Sequence, residues 1–163
     1  AMIADEPARA EFIAFTDAYV EIEATYVVPE GSTFQTIEDV DQENVRIAVS
    51  GTSAYDLYLT RTLKNAALHR AEGLPAAVEL FAKEKLDALA GLRPALKGNV
   101  ENLPGARVLD GRFMAVEQAI GTQLKNSVAA KFLQEFVENA KASGLIEELV
   151  NRHGVAGKLQ VAS

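Results

Sequence analysis

The strongest constraint on what this chain can fold into is a repeated switch of its hydrophobic period. Residues 45–49 (VRIAV) form a short, nearly continuous apolar run, the pattern of a strand buried on both faces. Ser50-Gly51-Thr52-Ser53 follows as a tight loop of small residues. Residues 54–65 then read as a helix, with Leu57, Leu59 and Leu63 among its apolar positions. The same change recurs along the chain. Residues 24–28 (ATYVV) are β-branched and aromatic, hence a strand, closed by a turn at Pro29-Glu30-Gly31-Ser32. Thr36 is placed to cap a short helix over 37–41. Further strands are expected at 66–69, 86–90, 107–109 and 114–120, and helices at 74–85, 92–97, 128–142 and 145–152. Residues 7–15 read as a short helix or turn, 16–19 as a connection and 154–163 as a tail. Strands alternating with helices imply an α/β fold with parallel strand pairs. The polar stretch 17–23 and the Gly, Pro and Asn-rich stretch 97–111 divide the chain into more than one lobe.

Composition narrows the function. The net charge is −7, with acids and bases interspersed. That opposes a nucleic-acid partner or an anionic membrane surface, both of which call for basic patches. With no cysteine, there is neither a disulfide framework nor a thiolate metal site. His69 and His153 lack metal-ligand spacing and read as surface residues. No P-loop, nucleophile elbow or zinc-protease motif occurs. The expectation is therefore no cofactor and no metal. Phe132, Leu133 and Phe136 read as a core-facing stripe, and Glu147 and Glu148 as part of a solvated face. No apolar run approaches the roughly 20 residues of a membrane span, and no secretion signal is visible. Ala1-Met2 has the look of a tag remnant before a native start.

Four stretches, in order, resemble the extracellular solute-binding proteins of family 3. They are Pro7-Ala8-Arg9-Ala10-Glu11 followed by Phe15-Thr16-Asp17-Ala18-Tyr19; Tyr26-Val27-Val28-Pro29-Glu30-Gly31-Ser32 followed by Ile37-Glu38-Asp39-Val40; the strand 45–49 leading into Gly51-Thr52; and Lys85-Leu86-Asp87-Ala88. The resemblance implies an α/β fold of the type II periplasmic-binding-protein kind, two lobes joined by hinge strands with a solute trapped between them. It further implies lobe 2 at 24–115, hinges near 19–23 and 116–119, and lobe 1 split between 1–18 and 119–163. The family carries a further strand-helix-strand-helix stretch before the arginine motif. By that measure this chain has one complete lobe and a partial second one.

By the same resemblance, Arg9 holds a solute carboxylate. A guanidinium can grip a carboxylate with two parallel hydrogen bonds. Ser50, Gly51, Thr52 and Ser53 would supply lobe 2's polar contacts, since free N–H groups at a helix start and small residues let a ligand approach. The same residues also suit a plain helix cap. Where the family places an acid for a solute ammonium group, this chain has Leu92; where it places a hydroxyl, Ala4. Arg93 reads as an exposed arginine or as a bias toward an acidic solute, and Asp87 as a residue serving structure.

The leading function is the substrate-binding component of an ABC importer, periplasmic and not an enzyme, taking a small polar solute that is amino-acid-like or an organic acid. An ABC permease is the partner the resemblance implies. The alternatives are an enzyme on the same fold, of the cyclohexadienyl-dehydratase kind, and a LysR-like effector domain. Self-association is also expected, as a homodimer burying apolar surface on the helix 128–142 and the strand 114–120.

Overall fold

A computed structural model describes residues 2–4 and 7–163. The chain divides into two compact units, one from residues up to Ile22 together with Val116 onward, the other Glu23–Ala115.

The unit Glu23–Ala115 is a mixed sheet with three helices. Its strands are β3 (Val20–Val28, entering from the first unit), β4 (Arg46–Ser50), β5 (Ala67–Ala71), β6 (Ala88–Leu92) and β7 (Arg107–Val108). β4 is central: it runs parallel to β5, with Ile47 opposite Leu68, and parallel to β6, with Ala48 opposite Leu89. β3 closes the other side of β6 in antiparallel register, with Tyr26 opposite Ala90, and β7 adds to β3. The three strands expected at 24–28, 45–49 and 86–90 thus share one sheet. Ile47, Ala48 and Val49 are wholly buried, as a strand covered on both faces requires. The helices are α2 (Ala54–Thr62), α3 (Gly73–Lys83) and α4 (Arg93–Val100). Ala77 and Phe81 of α3 and Leu96 of α4 pack on Val27, Ala48, Leu86 and Leu89 to form the core.

In the other unit, β8 (Met114–Gln123) is the organising strand; its first two residues belong to the unit just described. β1 (Met2–Ala4) and β2 (Ile13–Phe15) both pair with it antiparallel. Gly121 is required there, because a Cβ would stand 2.7 Å from Ile13 Cγ2. The helices are α1 (Pro7–Ala10), α5 (Ser127–Ala142) and α6 (Leu145–Arg152). Gly144, at φ 75°, separates the last two in the left-handed conformation that glycine adopts without strain. Lys141 of α5 donates to Ala18 O at 3.1 Å, and Asp17 N donates to Gln134 Oε1 at 2.8 Å, tying the chain's two ends together.

Several expectations are corrected. The helix expected within 7–15 stops at Ala10, and residues 13–15 are a strand on β8. The polar connection 17–23 becomes strand from Val20 onward. The tail 154–163 contains β9 (Gln160–Val161), which pairs with Val20 and Glu21. Thr36 caps nothing: its N–H and that of Gln35 both donate to Asp39 Oδ2 at 2.8 Å, so Asp39 organises the turn before a short 3-10 helix, Glu38–Val40. The stripe Phe132, Leu133 and Phe136, read as core, is mostly outside: Leu133 is half-buried, and Phe132 is 66% and Phe136 50% exposed.

Asp41 supplies a pH-sensitive contact. Its carboxylate accepts from the backbone N–H of Asn65 at 2.8 Å, Ala66 at 3.0 Å and Lys64 at 3.0 Å, holding the turn before β5. Desolvation pushes its pKa up, but the three N–H donors outweigh it and the net shift is downward. A depressed carboxylate contributes stability above its unfolded pKa and loses it as pH falls through the folded value. As pH falls through this depressed value, amide exchange at Lys64, Asn65 and Ala66 is expected to accelerate before that of β4. Exchange at these three amides that keeps step with β4 would contradict this.

Candidate functional site

The strand β4 ends at Ser50, and the chain turns through Gly51 and Thr52 before α2 begins. Thr52 adopts φ 61°, an uncommon conformation for a residue with a Cβ. Three internal acceptors hold the turn. Gly51 N donates to Ala71 O at 2.9 Å, Thr52 N to Asp56 Oδ2 at 2.8 Å, and Ser53 N to Ser50 O at 3.4 Å. Ser53 is the helix cap: its Oγ accepts from Asp56 N at 3.1 Å and donates to Ser50 O at 2.8 Å. Burial of Tyr55 beneath the loop raises its phenol pKa, opposed by hydrogen bonds to Ser53 and Ser50.

Asp56 is the residue on which this arrangement turns. It is 3% exposed, and both its carboxylate oxygens accept from Arg70 Nε, at 3.0 and 3.1 Å. Arg70 Nη2 also donates to Thr60 Oγ1 at 2.7 Å. A buried charge must be paired and hydrogen-bonded, and Asp56 meets that condition through one arginine, one hydroxyl and one loop N–H. Neither Asp56 nor Arg70 is singled out by the sequence reading. The signal was nonetheless present in Ser53-x-x-Asp56, a capping-box spacing.

Arg9 lies at the end of α1, half-buried, in the unit formed by the chain's two ends. Its Nη1 donates to Ala4 O at 3.2 Å, which ties the side chain to the end of β1. Ser50, Gly51, Thr52 and Ser53 belong to the other unit. The structure therefore brings the four loop residues together and describes Arg9 within its own unit.

Arg93 is corrected. It is neither exposed nor free for a solute: its Nε donates to Glu23 Oε2 at 2.7 Å, and its other nitrogens donate to Leu109 O and Gly111 O. Its side chain is only 16% exposed. It fastens β3, α4 and the segment after β7 to one another. Asp87 accepts from Arg46 N at 2.8 Å, a structural role as expected. A cavity of about 330 Å³ lined by Pro29, Phe81, Leu86, Leu103 and Pro104 opens elsewhere in the unit Glu23–Ala115, and the loop residues do not line it.

No family model and no curated protein sequence matches the chain. Solved structures do, and they define the fold as that of the type II periplasmic-binding-protein-like amino-acid binders. The fold implied by the sequence resemblance is thus the one observed. The GluR0 ligand-binding core in complex with L-glutamate superposes with a TM-score of 0.74 at 24% identity, over 92% of this chain and 68% of the other. The amino-acid ABC transporter substrate-binding protein AbpA of Streptococcus pneumoniae, bound to L-arginine, gives 0.69 at 18% identity, over 92% and 64%. An ancestral amino-acid-binding protein, described as a precursor of cyclohexadienyl dehydratase, gives 0.71 at 16% identity, over 92% and 65%. The chain spans about two thirds of the length of these structures.

Proposed function

We propose that this chain acts as the substrate-binding component of an ABC importer for a small, polar, amino-acid-like solute or organic acid. The observation that carries the reading is the fold, whose solved neighbours include amino-acid ABC transporter binding proteins. Within it, residues 24–115 are lobe 2, and 1–18 with 119–163 contribute to lobe 1. Arg9 takes the solute carboxylate, and Ser50, Gly51, Thr52 and Ser53 line the solute from lobe 2. A permease is the partner and the periplasm the compartment. Among the described residues no helix is long and apolar enough to cross a membrane. Binding without turnover is the proposed activity, since a receptor needs differential affinity between open and closed states and no reaction chemistry.

A thermal-shift screen of amino acids, polyamines and small organic acids tests this. A solute that binds only the folded form at 100 times its Kd adds about 2.7 kcal/mol of stability. At least one amino acid or organic acid is expected to raise the melting temperature. No shift across the panel, in a protein shown to be folded, would count against the reading.

Self-association is part of the same proposal. Val128, Phe132 and Phe136 recur every four residues on α5 and are 80%, 66% and 50% exposed, forming one apolar stripe. A contiguous exposed apolar face of this kind marks an interaction surface. Light scattering is expected to show a dimer that Phe132→Glu converts to monomer. A strictly monomeric mass at every concentration would exclude it.

A further inference from the structure

The cavity bounded by Pro29, Phe81, Leu86, Leu103 and Pro104 lies wholly within the unit Glu23–Ala115. It opens where β3 ends, where α3 turns into β6 and where the chain passes from α4 to β7. Because β4 and β6 run parallel, the turn before β6 and the loop after β4 stand at opposite ends of the sheet. The cavity is therefore separate from the Ser50–Ser53 loop. At about 330 Å³ it lies at the small end of the roughly 300–1,000 Å³ range of ligand pockets. That volume suits one amino-acid-sized molecule.

The walls are apolar, and the two charged residues that line them, Glu30 and Lys85, are of opposite sign. Both are exposed, and among the described residues neither side chain has an ion-pair or hydrogen-bond partner. The backbone fixes where each begins. α3 ends in a Schellman turn: Leu86 N donates to Phe81 O at 3.0 Å, and Lys85, at φ 49°, takes the left-handed position that glycine ordinarily fills. A residue with a Cβ is strained there, so lysine stands against the local preference of the turn. Glu30 lies across the backbone of Gly105, where an added Cβ would stand 2.5 Å from Glu30 Cβ and 2.6 Å from its Cδ. The bare backbone between Pro104 and Ala106 thus seats the Glu30 carboxylate at the edge of the cavity.

Two unmatched charges beside an apolar wall define what the cavity can take. A purely apolar molecule leaves both charges unanswered. An apolar acid meets Glu30 with like charge, and an apolar amine meets Lys85 in the same way. A zwitterion answers both. We propose that this cavity is a second small-molecule site, which takes a free amino acid with a large apolar side chain, such as L-leucine. The ammonium group pairs with Glu30, the carboxylate with Lys85, and the side chain covers Phe81, Leu86 and Leu103. The proposal does not rest on a solute at Arg9 and the Ser50–Ser53 loop.

The test is an NMR titration of the full chain with L-leucine, followed at the amides of Lys85, Leu86, Leu103 and Ala106. Saturable shifts are expected at all four. N-acetyl-L-leucine, which lacks the ammonium, and L-leucinamide, which lacks the carboxylate, are each expected to bind about fivefold more weakly, the effect of losing one exposed ion pair. In Lys85→Gly the turn gains its usual residue, so the melting temperature is expected to hold or rise, while affinity for L-leucine drops about fivefold. A lysine that serves only the turn would show no such drop. Unmoved cavity amides, derivatives that bind as tightly as L-leucine, or full affinity in Lys85→Gly would each overturn the proposal. Shifts at Arg9 and Ser50–Ser53 with the cavity amides unmoved would overturn it as well and leave the solute-binding reading standing. If Lys85→Gly fails to fold, Glu30→Gln is read in its place, with the same expected loss.

Discussion

Replacing Leu89 by alanine is expected to cost about 2–5 kcal/mol of stability, the range for emptying a large buried side chain. Leu89 is wholly buried on β6, opposite Val27 of β3 on one side and Ala48 of β4 on the other. It packs in one cluster with Phe81, Leu86 and Leu96. Truncation leaves a void between two helices and the middle of the sheet, where the surroundings have least freedom to collapse. For a chain of this length each kcal/mol lowers the melting temperature by about 2–4 °C. Calorimetric melting measures the loss. A change under about 1 kcal/mol would mean that β6 is not the packed centre of this unit.

Arg9→Lys is the substitution expected to change binding most. Lysine keeps the charge and loses the planar fork, so one of two charge-assisted hydrogen bonds to a carboxylate disappears. Such bonds contribute about 1.5–3 kcal/mol each, and 1.4 kcal/mol is about a factor of ten in affinity. A carboxylate ligand should bind about 10–100-fold more weakly, with the melting temperature little changed, because the contact that Arg9 makes to Ala4 O among the described residues is one a lysine ammonium can also make. Undiminished binding would remove Arg9 from the solute site.

The parts of the fold that could be read from residues are those whose pattern is local. The run 45–49, the small loop after it and the helix from Ala54 follow from periodicity and capping, and the observed β4, loop and α2 agree to within a few residues. The strands that escaped are short and made by their partners. β1 and β2 have three residues each and β9 has two, and each exists because β8 or β3 lies alongside. Nothing within such a segment distinguishes it from coil. Arg93 was unreadable for a related reason: its partners, Glu23 and the carbonyls of Leu109 and Gly111, are 70, 16 and 18 residues away. Phe132 and Phe136 show the opposite failure. Their spacing reads as a core stripe, yet periodicity reports only that a face is apolar and does not report whether anything covers it.

The candidate site was legible as a location and not as chemistry. Ser50-Gly51-Thr52-Ser53 announces a strand-to-helix turn, and the turn is there. That its N–H groups are consumed from within depends on Asp56 reaching back to Thr52 and on Arg70, 14 residues further along, reaching across to Asp56. Only the folded chain displays that closure.

The proposal that Arg9 and the Ser50–Ser53 loop hold an amino-acid-like solute is tested most directly by mapping amide resonances as a solute that raises the melting temperature is added. The account predicts saturable shifts at Arg9 and across Ser50, Gly51, Thr52 and Ser53, with one common affinity. Shifts confined, for every such solute, to the residues around the Phe81 and Leu103 cavity, or to α5, with both predicted segments unmoved, would contradict it.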